Sequence, residues 1–291
     1  MAIPLVAVSG SNGQLGRELQ ALHQAFAGVF DFVFLDRQSF DLGTAESINV
    51  FFDRYVPAYF INCAAYTAVD KAESDQVAAY RINAEAVGEI ARHCAQNDCV
   101  LIHLSTDYVF NGQGTAPYQT DGATDPVNYY GYTKWIGEKL AQENNPRSVV
   151  IRTSWVYSAF GNNFVKTMLR LMKERDEISV VADQTGSPTY AADLAAAIMQ
   201  IIVAIQNKGR AFGTYHYSNK GVITWYDFAS RIRDIAGYHC QVKPIPGSAY
   251  PTPAKRPAYS VMDTSAIERQ YHIAIPEWEE SLHACLQLLT R

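Results

Sequence analysis

Two hydrophobic rhythms alternate along the first half of the chain. Short apolar runs at residues 5–8, 31–35, 59–63, 100–104 and 148–151 show little polar alternation, the pattern of strands covered on both faces in a parallel sheet. Between them apolar residues return at helical spacing. Leu15, Leu19, Leu22 and Phe26 make one stripe after the first run, and a long helix is predicted over roughly 76–96. Beyond about residue 160 the alternation loosens, to a helix at 163–173, a turn at 185–189 with Gly186 and Pro188, a strand at 214–218 and a helix at 225–235. The stretch 247–257, punctuated by prolines and by aromatic residues, reads as an ordered loop. No linker, repeat or low-complexity segment interrupts the chain.

Composition narrows the class. At 291 residues the chain is long enough for one large domain or two unequal ones. A net charge of -5 and a pI near 5.8 exclude a broad basic surface for nucleic acid. The five cysteines, at 63, 94, 99, 240 and 285, are scattered without a CxxC pair, as expected of buried thiols in a reducing compartment. The first apolar run is too short for a membrane span and lacks a basic leader. No membrane partner and a cytoplasmic location are therefore expected, with a small molecule as the ligand.

The first candidate site follows the first strand. Gly10-Ser11-Asn12-Gly13-Gln14-Leu15-Gly16 spaces its glycines as GxxGxxG and leads into the helical stripe. Glycines at such a turn let the backbone approach a pyrophosphate, and the first amides of the helix stabilise its charge. A dinucleotide is the ligand this predicts. The second strand ends in Asp36-Arg37, where an aspartate would accept bonds from a free ribose 2'-hydroxyl and an arginine would neutralise a 2'-phosphate, so NADH and NADPH both stay open. Asp41-Leu42 either flanks adenine or starts the next helix. Ala64, Ala65 and Tyr66 follow the third strand, and the small residues there leave room for a ligand.

The second candidate site lies at the ends of the fourth and fifth strands. Thr106 and Asp107 close the fourth, where a hydroxyl can hold a substrate carbonyl, or where both side chains make a local turn. Tyr130 and Lys134 stand four residues apart in a predicted helix, hence on one face. A phenol needs roughly three pKa units, or about 4 kcal/mol, to titrate near neutrality. Lys134 together with an oxidised nicotinamide would supply the positive charge for it. Trp155, after the fifth strand, either stacks on a sugar or base or belongs to the core. Arg256 suits a phosphate or carboxylate. His103, among apolar residues, reads as a satisfied core histidine.

Expected is an α/β fold: a Rossmann-type doubly wound parallel sheet with a smaller α/β substrate lobe at the C-terminal side. Residues 1–160 form the dinucleotide-binding domain, with returning segments near 190–220, and 161–291 form mainly the substrate-binding lobe.

The sequence resembles the extended short-chain dehydrogenase/reductase family over essentially its whole length. The likeness rests on the GxxGQLG turn, NCAAYTAVDKAE from Asn62, STDYVF from Ser105, YGxTK from Tyr130, RTSWVY from Arg152, the stretch 161–175, and SAYPTPAKRP from Ser248. It is nearest to members that reduce dTDP-4-dehydro-L-rhamnose to dTDP-L-rhamnose at C4 with NADPH or NADH. The resemblance implies that Thr106 polarises the ketone, Tyr130 gives the proton, and Lys134 holds the nicotinamide ribose and tunes Tyr130. It implies cofactor contacts at Gly13, Gln14, Leu15, Asp36, Asp41, Leu42, Ala64, Ala65 and Tyr66, to which the glycine turn itself adds Gly10 and Gly16 and the end of the second strand adds Arg37. It places Asp107 and Trp155 on a dTDP-sugar; charge and position add Arg256 for its diphosphate. Some members of the family dimerise through Mg2+ held by carboxylates. Glu18 fits that pattern, but Ala192 stands where an acid is expected and only Asp193 beside it is acidic. No metal ligand is therefore assigned, Mg2+ is a weaker expectation, and the protein is a monomer or a homodimer. Tyr259-Ser260-Val261-Met262 also departs from the family, where asparagine and arginine are common. A sugar epimerase or dehydratase with a held NAD, and an idle NADP-binding regulatory subunit, are the competing readings.

Overall fold

The computed structural model describes residues 3–208 and 212–289. Its centre is a six-stranded sheet in which every paired neighbour is parallel. In chain order the first five strands are β1 (Leu5–Ser9), β2 (Asp31–Leu35), β3 (Tyr59–Asn62), β4 (Val100–Thr106) and β5 (Ser148–Thr153); the sixth is Gly213–Tyr217. Across the sheet the order runs from Gly213–Tyr217 through β5, β4, β3 and β1 to β2. The direction of travel reverses between β1 and β3, and a crevice opens there at the carboxyl ends of the strands.

Strand alternation divides the core into two layers. Val6, Val8, Ile61, Ile102 and Ile151 pack on one face against α1 (Gln14–Leu22) and the Ala191–Lys208 helix. Ala7, Phe60, Leu101 and Val150 pack on the other, against α2 (Ala45–Arg54) and the Ala86–Gln96 helix. Both faces are covered, which is why these runs carry so few polar residues. A third core joins Val165, Met168, Ile178, Phe228, Trp278 and Leu282. It is built from the Phe164–Glu174, Trp225–Ala236 and Trp278–Leu289 helices over the parallel pair Glu177–Val181 and Gln241–Ile245.

The helix predicted over 76–96 is helical throughout but not uniform. Gln76–Tyr80 and Ala86–Gln96 are α-helical, while Arg81–Glu85 widens into a π turn. Asn83 explains the widening: its side chain accepts from the Tyr66 amide at 2.8 Å, donates to the Tyr66 carbonyl at 3.1 Å and donates to Thr133 Oγ1 at 3.1 Å. Those bonds tie the loop after β3 to the helix that bears Tyr130, and π turns commonly mark such junctions. The 247–257 loop is anchored as well, with the Ala254 amide on Asp70 and the Lys255 carbonyl accepting from Asn128.

Candidate active site

The crevice holds a cleft of about 530 Å³. Its floor is the glycine turn. Gly10 has φ +69°, and a Cβ there would lie 2.7 Å from the Ala64 amide nitrogen, so only glycine lets this turn approach the end of β3. Gly10, Gly13, Gln14 and Leu15 line the cleft together with Ala64 and Ala65. Gly16 sits behind it, against Gly10 and Ser11, and allows the helix to pack on the turn.

At the far end the two residues left open by the sequence separate. Asp36 Oδ1 accepts from the amides of Gln38 and Ser39 and from Ser39 Oγ, and these bonds hold its pKa below the usual carboxylate range. One carboxylate oxygen, Oδ1, is occupied by its own turn, and Asp36 does not line the cleft. Arg37 does, with Phe40, Asp41 and Leu42. Its side chain is 86% exposed and meets Asp41 only at 3.8 Å. Tyr66 turns aside, its hydroxyl donating to Asp75.

The other end carries the reactive side chains. The Tyr129–Asn144 helix starts at Asn128, whose Oδ1 accepts from the Gly131 amide at 2.8 Å. A Cβ on Gly131 would lie 2.1 Å from the Tyr108 carbonyl oxygen, so glycine brings this helix onto the turn after β4. Tyr130 and Lys134 both line the cleft. The Thr106 hydroxyl lies near enough to the Tyr130 phenol to ease its pKa and donates its proton to Asp107 Oδ1 at 2.9 Å. Thr106 and Asp107 stand beside the cleft walls and are almost wholly buried.

Burial dominates the electrostatics. It pushes the Tyr130 phenol up, and the neighbouring Asp107 charge pushes the same way. It pulls Lys134 down to about 8, against the opposing influence of Glu138 and Cys63. It raises Asp107 to about 6, against hydrogen bonds from Thr106 and Ser260. The tuning of the phenol is expected of Lys134 together with an oxidised nicotinamide; in this arrangement burial and Asp107 set its direction. The ammonium instead donates to the Leu104 carbonyl at 2.7 Å and faces His103 Nε2 at 3.5 Å.

The remaining expected residues lie around this core. Trp155 has φ +48°, rare for a bulky residue, and one face of its ring stacks on Trp225 at 3.6 Å. Only its other surfaces are free to meet a ligand. Arg256 donates to Asp70 Oδ2 at 2.7 Å and reaches the Tyr108 phenol, whose ring sits edge-on to Tyr130 at 5.7 Å. Glu18 accepts from Ser158, and Asp193 accepts from Asn219 and Ser281. Among the described residues no three metal-ligating side chains gather, and no helix is long and apolar enough to cross a membrane.

Sequence reasoning missed two groups. Val156, Gly161, Asn162 and Leu194 line the cleft from segments far along the chain; the first three fall in stretches that carry the family resemblance and only Leu194 lacks any such mark, yet none was assigned to the site. Glu138 and Arg152 form a buried pair in which Arg152 donates through Nε and Nη2, at 2.9 and 2.7 Å, with Ser105 also donating to Glu138. Glu138 follows Lys134 by four residues, which was the available signal.

Comparisons with known proteins agree with this geometry. Residues 5–291 match the sequence profile of the RmlD substrate binding domain family. A dTDP-4-dehydrorhamnose reductase of Salmonella typhimurium is 41% identical over 284 residues, which is 93% of each chain. The crystal structure of a dTDP-4-dehydrorhamnose reductase from Clostridium acetobutylicum superposes with a TM-score of 0.93 at 38% identity, covering 99% of this chain and 100% of that one. Another from Bacillus anthracis, in complex with NADP, superposes at 0.92 with 37% identity, covering 98% and 99%.

Proposed function

The chain belongs to the RmlD substrate binding domain family, and we propose that it reduces the C4 ketone of dTDP-4-dehydro-L-rhamnose to the alcohol of dTDP-L-rhamnose, using NADPH. The observation that carries the reading is one continuous cleft with the glycine turn and Arg37 at one end and Tyr130 and Lys134 at the other.

The residues fit a dinucleotide. Gly10 and Gly13 supply backbone without a side chain where a pyrophosphate would lie, and Arg37 lines the cleft, exposed to meet a 2'-phosphate, while Asp36 turns Oδ1 into its own turn. NADPH supplies the hydride that reduces the carbonyl carbon. Tyr130 delivers a proton to the carbonyl oxygen, and its raised pKa keeps the phenol fully loaded. Lys134 lends a nearby positive charge as the oxygen becomes negative. Thr106 has a single hydroxyl proton, so an entering carbonyl competes for it with Asp107. Residues 161–291 form mainly the lobe that holds the dTDP-sugar, with Asp107, Trp155 and Arg256 facing it.

The test mixes purified protein, the dTDP-4-dehydro sugar and NADPH and follows the absorbance of reduced nicotinamide. Loss of absorbance in proportion to alcohol formed is expected. Product without loss would indicate an epimerase or dehydratase, and no product would indicate a binding subunit.

A further inference from the structure

His103 is buried completely inside β4, yet it stands in a line of polar groups. Ser9 Oγ meets Asn62 Oδ1 at 2.7 Å, the Asn62 amide nitrogen faces His103 Nδ1 at 3.2 Å, and His103 Nε2 faces Lys134 Nζ at 3.5 Å. The line crosses the ends of β1 and β3 and the middle of β4 before it reaches the Tyr129–Asn144 helix. All four side chains are almost fully buried. Apolar side chains would fill this space without any desolvation cost, so the polar line requires a reason.

The reason lies in the number of protons on Lys134. An ammonium has three N–H groups and no acceptor. One donates to the Leu104 carbonyl at 2.7 Å. A second faces His103, which leaves one for the cleft that Lys134 lines. An ammonium can face a ring nitrogen only where that nitrogen carries a lone pair. Burial keeps the His103 ring neutral, so its one proton then sits on Nδ1. That proton needs an acceptor, and the structure sets the Asn62 amide nitrogen toward Nδ1 and its carbonyl toward Ser9, so this state requires the Asn62 amide to be reversed, with its carbonyl on the ring and its nitrogen donating to Ser9 Oγ. With a neutral lysine the line runs the other way: Ser9 and the amide nitrogen of Asn62 donate as the coordinates place them, and His103 Nε2–H donates to Nζ.

We propose that His103 is a positioning residue whose Nδ1–H tautomer, set by Asn62 and Ser9, holds the Lys134 ammonium with its remaining N–H directed into the cleft. Its effect on turnover rests on the reductase reading; the tautomer does not. The groups around Lys134 are Cys63 at the end of β3, His103 of β4, and Tyr130 and Glu138 one turn away on its own helix, with Arg152 of β5 paired to Glu138.

Two measurements test it. In the full chain at pH 7, with ring nitrogens of histidine labelled, a two-bond nitrogen–proton correlation spectrum reads which nitrogen carries the proton. The His103 signal is the one missing from His103→Gln. Proton on Nδ1 is expected; proton on Nε2, or a charged ring, overturns the proposal. In steady-state turnover, His103→Leu removes the acceptor and so favours neutral lysine, which lowers kcat about tenfold and moves the alkaline limb of the pH profile down by about one unit. His103→Gln, whose carbonyl reaches toward the Nε2 position, restores most of both. A His103→Leu profile identical to the native one also overturns the proposal. If the native protein itself oxidises no NADPH, the reductase reading fails while the spectrum still decides the tautomer.

Discussion

Replacing Lys134 by methionine separates what the site needs for chemistry from what the fold needs for stability. The folded protein holds this lysine near 8 against an ordinary 10.5, so at about 1.4 kcal/mol per unit the buried ammonium costs about 3 kcal/mol at neutral pH. Methionine keeps the aliphatic volume and removes that cost. It also leaves the Leu104 carbonyl without its 2.7 Å donor, a loss of about 1–3 kcal/mol. The variant is therefore expected to range from as stable as the native protein to about 2 kcal/mol more stable at pH 7, while turnover disappears.

The pH dependence carries the sign. Below about 8 the lysine is protonated in both folded and unfolded chains, and the cost is fully present. Between about 8 and 10.5 the unfolded chain keeps a proton that the folded one has released, so native stability rises with pH. Above 10.5 the cost is gone. Lys134→Met lacks this group, and titrations of groups that Lys134 does not influence cancel in the difference. Urea denaturation of the pair at several pH values across the window reads it directly. Native stability must gain on the variant as pH rises; a flat difference, or a gain by the variant, would refute the placement of a buried ammonium.

Three further outcomes are expected. Arg37→Ala raises KM for NADPH about tenfold or more and leaves KM for NADH nearly unchanged, as measured by initial rates with each cofactor; equal effects on both would remove Arg37 from 2'-phosphate recognition. Glu138→Met and Arg152→Met each destabilise by about 3–5 kcal/mol, because each strands a buried charge, whereas the double variant costs less than either alone. Strict additivity in a denaturation cycle would contradict that coupling. Tyr130→Phe retains NADPH binding in a fluorescence titration and loses turnover by at least about 100-fold, and near-native turnover would exclude it as the proton donor.

The strand–turn–helix beginning of the fold was legible because its signals are local. An apolar run, three spaced glycines and a helical stripe fall within the first 26 residues, and the structure places β1 and α1 there. The Tyr130–Lys134 face was legible for the same reason, since four residues of one helix fix it. Val156, Gly161, Asn162 and Leu194 were not assigned, because they come to the cleft from segments distant in sequence, Leu194 through the helix that packs with α1 on one face of the sheet. Neither was the π turn at Arg81–Glu85, whose cause is a bond from Asn83 to Thr133, fifty positions away. Asp36 and Arg37 were ambiguous as letters. Only the turn geometry, with Ser39 and Gln38 bonding Asp36, distinguishes an occupied carboxylate from an available guanidinium.

The direction in which burial moves Tyr130 and Lys134 also bears on the choice among related chemistries. An enzyme that begins by oxidising its sugar must take a proton from a hydroxyl, and a phenol serves as that base only when its pKa is brought down. In this protein burial and Asp107 move the phenol up, and burial moves the lysine down. The resting pair therefore favours neutral tyrosine with a proton to give. A reduction needs that form, because the oxygen of the ketone becomes negative as hydride arrives and takes its proton from the nearest acid. Thr106 and Asp107 come from the same strand end, where the Thr106 hydroxyl donates to Asp107 Oδ1. Burial thus leaves the phenol protonated, the form from which a ketone oxygen can take its proton.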